Sequence, residues 1–130
     1  NKAFDILENA ILTQKYDNIP LGSLISGLGF GNSSTTLGHA LSYVFSNEGF
    51  SHGHSLAYTT TFAHKFNSSK FSERFEKIVD VLNFKKIHLT QNFDTAAKLI
   101  LTDRKHLDNN PKIVTKDDII QILKSINQLE

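Results

Sequence analysis

Four of the six histidines in this chain lie between Gly27 and Asn67, and two of them, His39 and His52, stand in consecutive helical patterns. A neutral imidazole offers a lone pair to divalent metal ions and is the commonest protein ligand for them. An imidazole in the first turn of a helix feels the positive end of the helix dipole, which favours the neutral form. His39 and His52 from adjacent helices could therefore converge on one ion, although two imidazoles supply only half of a tetrahedral shell. On residue types alone the plainer reading is the better one: His39 a solvated surface histidine, His52 a hydrogen-bonded core or cap histidine.

The elements that must position them read as helices. From Thr35 to Ser46 the apolar residues Leu37, Ala40, Leu41, Val44 and Phe45 form one broad stripe. At ~100° per residue, His39 and Tyr43 fall on the opposite face with Thr35, Ser42 and Ser46, so that face meets water or a polar cleft. Asn32 to Thr36 supplies caps for this helix. A turn through Asn47, Glu48 and Gly49 leads to Ser51, a good N-cap residue. The next pattern runs through His52, Leu56, Thr59, Ala63 and Phe66, which puts this imidazole on the buried side.

The rest of the chain looks like support. Ala3, Ile6, Leu7, Ala10 and Ile11 predict an amphipathic helix over 2–15, broken by Tyr16 to Pro20, and Leu21, Leu24, Ile25, Leu28 and Gly29 suggest a second stripe. The glycines at Gly27, Gly29 and Gly31 have the wrong spacing for a dinucleotide fingerprint and follow no strand pattern. Phe71, Phe75, Ile78, Val79 and Leu82 predict a further helix. Asn83 to Thr90 reads as irregular, with an extended piece at Lys86 to Leu89. Phe93, Ala96, Ala97, Ile100 and Leu101 give another stripe, ending in a polar run that holds His106. Thr115 and Asp118 form a capping-box pattern, after which Ile119, Ile122, Leu123 and Ile126 pack inward. About seven helical segments without strand alternation predict an all-α bundle or array, its core filled by ten phenylalanines and no tryptophan.

At 130 residues the chain suits a single domain with a real core. Its 14 basic and 13 acidic residues form no like-charge block, so nothing calls for nucleic acid as a partner. The absence of cysteine excludes disulfides, thiolate metal sites and a cysteine nucleophile. No apolar run is long enough for a membrane helix, and the charged amphipathic start is no signal peptide, so a soluble cytoplasmic protein is expected. With no methionine anywhere and a helical pattern already under way at the first residues, the expectation is a piece of something longer.

The central stretch resembles the iron-containing, or group III, alcohol dehydrogenase family. The resemblance rests on Ser26-Gly27-Leu28-Gly29-Phe30-Gly31-Asn32, then His39, then His52-Gly53, joined by a tail of Asn109-Asn110-Pro111, Thr115 and Asp117-Asp118-Ile119. It runs from about Leu7 to the end of the chain. It implies the helical C-terminal domain of that family, whose fold dehydroquinate synthase shares. His39 and His52 would then be two metal ligands, Phe30 a wall of the substrate channel, and Tyr43 a contact for the nicotinamide cofactor, standing where the family often has a histidine. It also implies a divalent metal (iron, with zinc or nickel also accepted by such ligands), NAD or NADP in the full enzyme, and a small alcohol or aldehyde as substrate. Assembly into homo-oligomers through the helical domain would fit the same picture. The family's nucleotide-binding domain and its remaining Asp and His ligands have no counterpart in this sequence, so the chain alone is expected to be inactive. The rival readings are a free-standing helical binding or structural module, and the helical domain of a glycerol dehydrogenase or dehydroquinate synthase relative.

Overall fold

The computed structural model describes residues 2–23 and 35–129. Among them there is no strand, and seven α-helices follow in order: α1 Lys2–Leu12, α2 Leu37–Ser46, α3 His52–Phe66, α4 Ser72–Leu82, α5 Phe93–Leu101, α6 Arg104–Leu107 and α7 Lys116–Asn127. A 3₁₀ turn at Tyr16–Asn18 and helical residues 19–23 lie between α1 and α2. The break expected through Pro20 is therefore only partial. Proline fits the first turn of a helix, where its missing N–H has no partner to lose. The glycine cluster, Phe30 and most of the second predicted stripe lie outside the described residues.

Helix α2 is the axis of the fold. Leu37, Ala40, Leu41, Val44 and Phe45 are all at most 1 % exposed, as their spacing predicts. The helix packs most extensively on α3 and also touches α5 and α6, while α5 lies against α7 and α1 against α4. The capping box of α7 forms as expected: Thr115 Oγ1 accepts from the Asp118 N–H, and Asp118 Oδ2 accepts from the Thr115 N–H at 2.9 Å. Ile119, Ile122, Leu123 and Ile126 are buried beneath it.

The core differs from the expectation in its material. Among the described residues Phe45 is the fully buried phenylalanine; Phe50, Phe62, Phe66, Phe75 and Phe93 flank the core half-buried, and Phe84 is exposed. Helices that pack this closely leave slots filled by Ala, Leu, Ile and Val, and the larger rings cover the outside of that aliphatic centre. No strand forms over residues 83–92, yet Ile87 and Leu89 are buried between exposed Lys86 and His88, the two-residue alternation of extended backbone. Asn127 holds this stretch by accepting from the Leu89 N–H and donating to its carbonyl, at 2.7 and 2.9 Å. Among the described residues no helix is long and apolar enough to cross a membrane.

The α2–α3 junction fixes where the two histidines stand. Gly49, at φ +100°, closes α2 in a Schellman arrangement: its N–H donates to Ser46 O, and the Phe50 N–H donates to Phe45 O. Ser51 then caps α3 by accepting from the His54 N–H. The Glu48 carboxylate in the same turn accepts from the N–H groups of Thr90 and Gln91 and from the Thr90 hydroxyl. Gly49→Ala is expected to cost about 1–2 kcal/mol, because a side chain disfavours this left-handed backbone even where space is open. A lowered urea midpoint checks it.

Candidate metal centre

His39 and Tyr43 lie one turn apart on α2, facing away from its buried stripe. His39 is half-buried and Tyr43 is 45 % exposed. The polar face as a whole is less wet than its composition suggests. Ser42 is fully buried, because its hydroxyl donates to His39 O at 2.8 Å and needs no water. Thr36 occupies the N-cap of α2, but its side chain makes no capping hydrogen bond, unlike the expectation for that position.

His52 opens α3 and is exposed, which corrects its expected place on the buried face. Of the expected stripe Thr59 and Ala63 are buried, while Leu56 and Phe66 are only half-buried; Ser55, Ala57, Tyr58 and Thr61 complete the buried side of α3. The Thr59 hydroxyl donates to Gly38 O at 2.8 Å, so a polar residue can sit at the tightest part of the α2–α3 contact.

The rings of His39 and His52 nevertheless meet, with centroids 5.5 Å apart and planes at 61°. Two imidazoles bound at ~2.0–2.1 Å in a tetrahedral shell have ring centres roughly 5 Å apart. The pair therefore stands close to the separation that a shared ion needs.

His106, which the sequence placed in an unremarkable connection, belongs to the same group. Its ring lies 5.8 Å from His39, nearly parallel at 13°, and 6.0 Å from Tyr43. Tyr43 in turn lies 6.3 Å from His52. Nothing local in the sequence signals this, because His106 is brought in by the docking of the tail. Asn110 and Asn67 exchange amide hydrogen bonds at 2.8 and 2.9 Å, Asn109 donates to Thr35 O, and Lys112 donates to Phe66 O. Those bonds hold the segment after α6 against the end of α3 and the start of α2.

Burial pushes the His39 imidazole below the ordinary histidine value, and the neighbouring His52 and His106 rings push the same way against the opposing pull of Asp103. The same causes favour the neutral imidazole, the form that ligates. Among the described residues no three His, Cys, Asp or Glu side chains stand ready to hold an ion, and His39 and His52 are a pair of imidazoles only. The donors fit a borderline divalent cation, since imidazole suits iron, zinc and nickel alike.

A cavity of about 340 Å³ adjoins His39, lined also by Thr36, Gly38, Thr60, His64 and Asn67. His64 is half-buried there against Phe75, and burial lowers its pKa from 6.5. The unfolded chain binds a proton that the folded one resists, so stability is full above 6.5 and falls as the pH drops below it toward the folded value. His64→Gln should flatten the acid side of a denaturation-versus-pH profile.

The other histidines play different parts. His54 bonds through Nε2 to Lys85 O and sits among Phe50, Tyr58 and Phe84, pinning residues 83–92 to α3. His88 is exposed beside Phe50.

Compared with known proteins, residues 2–95 match the model of the Fe-containing alcohol dehydrogenase family, C-terminal. The match includes α2 and α3 with His39 and His52, and ends before His106 and the tail whose likeness to the family the sequence suggested. No curated protein and no solved structure matches the chain. Because the family match takes in both ring-bearing helices and well over half of the sequence, the chain belongs to the Fe-containing alcohol dehydrogenase family and represents its C-terminal helical part.

Proposed function

We propose that this chain is the metal-binding and substrate-facing part of a metal-dependent, NAD(P)-linked alcohol dehydrogenase, with His39 and His52 as two ligands of a divalent ion, most naturally iron. The observation that carries the proposal is the 5.5 Å approach of the two rings across the α2–α3 junction, inside the stretch that matches the family. A nucleotide-binding region and the remaining ligands would come from outside these residues. The net reaction would pass hydride between the carbinol carbon of a small alcohol and the nicotinamide ring, releasing a proton and leaving the aldehyde.

A divalent ion held by His39 and His52 would supply a Lewis acid able to polarise the substrate oxygen. The residues of the chain do the holding and shaping. Burial and its imidazole neighbours disfavour protonation of His39, which suits it to ligation. Its backbone is fixed by the Thr59 hydroxyl on Gly38 O, one residue away. His52 is placed by the Gly49 turn and the Ser51 cap. Tyr43, half-exposed and near-parallel to His52, offers a flat ring and a hydroxyl to a planar cofactor ring. The cavity beside His39 has the size of a small-molecule site, with hydroxyls from Thr36 and Thr60 for a polar substrate. Phe30 lies outside the described residues, and its part as a wall of the substrate channel is what the family-like motif implies.

The test is alcohol oxidation by an iron-loaded enzyme carrying this segment, followed by reduction of NAD or NADP. Turnover lost in His39→Ala and His52→Ala together with the bound metal supports the reading. Full turnover and metal content in both variants would refute it.

A further inference from the structure

Polar side chains without partners gather around one hollow beside His39. In α3, Thr59 and Thr61 commit their hydroxyls to Gly38 O and Ala57 O at 2.8 and 2.7 Å, whereas the Thr60 hydroxyl between them makes no hydrogen bond among the described residues. Thr36 makes no capping bond. His64, one turn beyond Thr60, is half-buried with its ring 5.2 Å from that of Phe75, and among the described residues the ring has no hydrogen bond. All three side chains line the cavity of about 340 Å³ that also reaches His39. Asn67 lines it too, but its amide is already taken up by Asn110. Polar groups withdrawn from water are normally paired, so a set of them left unpaired around one space suits a ligand that completes them. Thr60 Oγ1 stands 2.9 Å from where a Cβ on Gly38 would lie, next to His39, and one turn of α3 carries the lining ~6 Å from there to His64. Burial disfavours protonation of the His64 ring. A neutral imidazole has one donor and one acceptor nitrogen, which matches a hydroxyl in either direction.

We propose that His64 determines specificity in the substrate cavity: its imidazole hydrogen-bonds a second oxygen of the substrate, so the site takes a short alcohol with a further hydroxyl several bonds from the reacting carbon. The reacting oxygen lies at the His39 end, and Thr60 and Thr36 line the path between the two. A separation of ~6 Å, one helical turn, is comparable with the extended span of a four-carbon diol. An unsubstituted alcohol of the same length leaves the His64 ring unpaired, which is how a site built for hydrogen bonding rejects an analogue that lacks the group. The inference rests on the reading of His39 and His52 as metal ligands, which puts the reacting oxygen at that end of the cavity.

The experiment compares butane-1,4-diol with butan-1-ol as substrates of the metal-loaded enzyme carrying this segment. The native enzyme should favour the diol in kcat/KM. His64→Phe keeps a ring against Phe75 and loses the hydrogen bond, and should lower the diol-to-butanol ratio roughly fivefold to tenfold, mainly through KM. His64→Gln, which keeps a donor and an acceptor, should recover part of that ratio. If His64→Phe does not fold, His64→Leu takes its place. A second readout needs no turnover: in the NMR spectrum of the chain, butane-1,4-diol should shift the His64 ring signal, identified by its loss in His64→Phe, more than butan-1-ol does. An unchanged ratio in His64→Phe, or equal shifts with the two alcohols, while metal and turnover are still lost in His39→Ala, would overturn this inference and leave the ligand reading intact. Metal and turnover retained in both His39→Ala and His52→Ala would overturn the ligand reading itself.

Discussion

Removing both imidazoles, His39→Ala with His52→Ala, is expected to weaken divalent-ion binding by more than about 100-fold while the helices stay folded, since even outer-shell losses reach that range. The two halves of this expectation have separate causes. Affinity falls because among the described residues no three His, Cys, Asp or Glu side chains stand together to take over the ion. The fold survives because neither side chain belongs to the core: His52 is exposed, His39 is half-buried on the outer face of α2, and the stripe beneath it is independently sealed. The single variants should each show most of the loss, because a lone imidazole holds an ion poorly. Isothermal titration with Zn²⁺ and circular dichroism on the same samples check both halves. Unaltered affinity in the double variant would show that the ion, if bound, sits elsewhere.

The second large effect is expected from Gly38→Val. A Cβ at Gly38 would meet Thr60 Oγ1 at 2.9 Å and the Thr60 Cα at 3.1 Å. The hydroxyl could rotate, but the backbone Cα could retreat only by moving α3. Replacing glycine by alanine in a helix gains ~1 kcal/mol of intrinsic propensity, while overpacking a tight contact costs ~1–3 kcal/mol. Alanine therefore comes out near neutral to mildly destabilising. Valine adds two further methyl groups with less propensity in return, and should destabilise by about 2–3 kcal/mol. The same displacement would part the two histidine-bearing helices, so ion affinity should fall along with the urea midpoint. A valine variant as stable as the native chain would mean that the α2–α3 contact has slack.

Much of this fold was legible from local rules. The stripe of α2, the Ser51 cap, the Thr115–Asp118 capping box and the inward residues of α7 all depend on spacing within a few turns, and all stand as expected. What resisted reading depends on long-range geometry. His52 escapes the buried face because α3 meets α2 along its small and hydroxyl-bearing side, a choice made by the partner helix and not by the apolar residues of α3. Ser42 and Thr59 are buried despite their polarity because backbone carbonyls accept from both. His106 stands beside His39 in a segment that the Asn67–Asn110 hydrogen bonds hold against α3. At the candidate metal centre, then, the family likeness pointed to His39 and His52, where residue types alone favoured a solvated histidine and a core or cap histidine, whereas the approach of His106 became visible only in three dimensions.

The account comes down to whether one ion touches both imidazoles. Crystals of the Zn²⁺-loaded protein, measured at the zinc absorption edge, should show a single anomalous peak within bonding distance of a ring nitrogen of His39 and a ring nitrogen of His52. A peak bonded to one ring alone, or lying away from both, would contradict it.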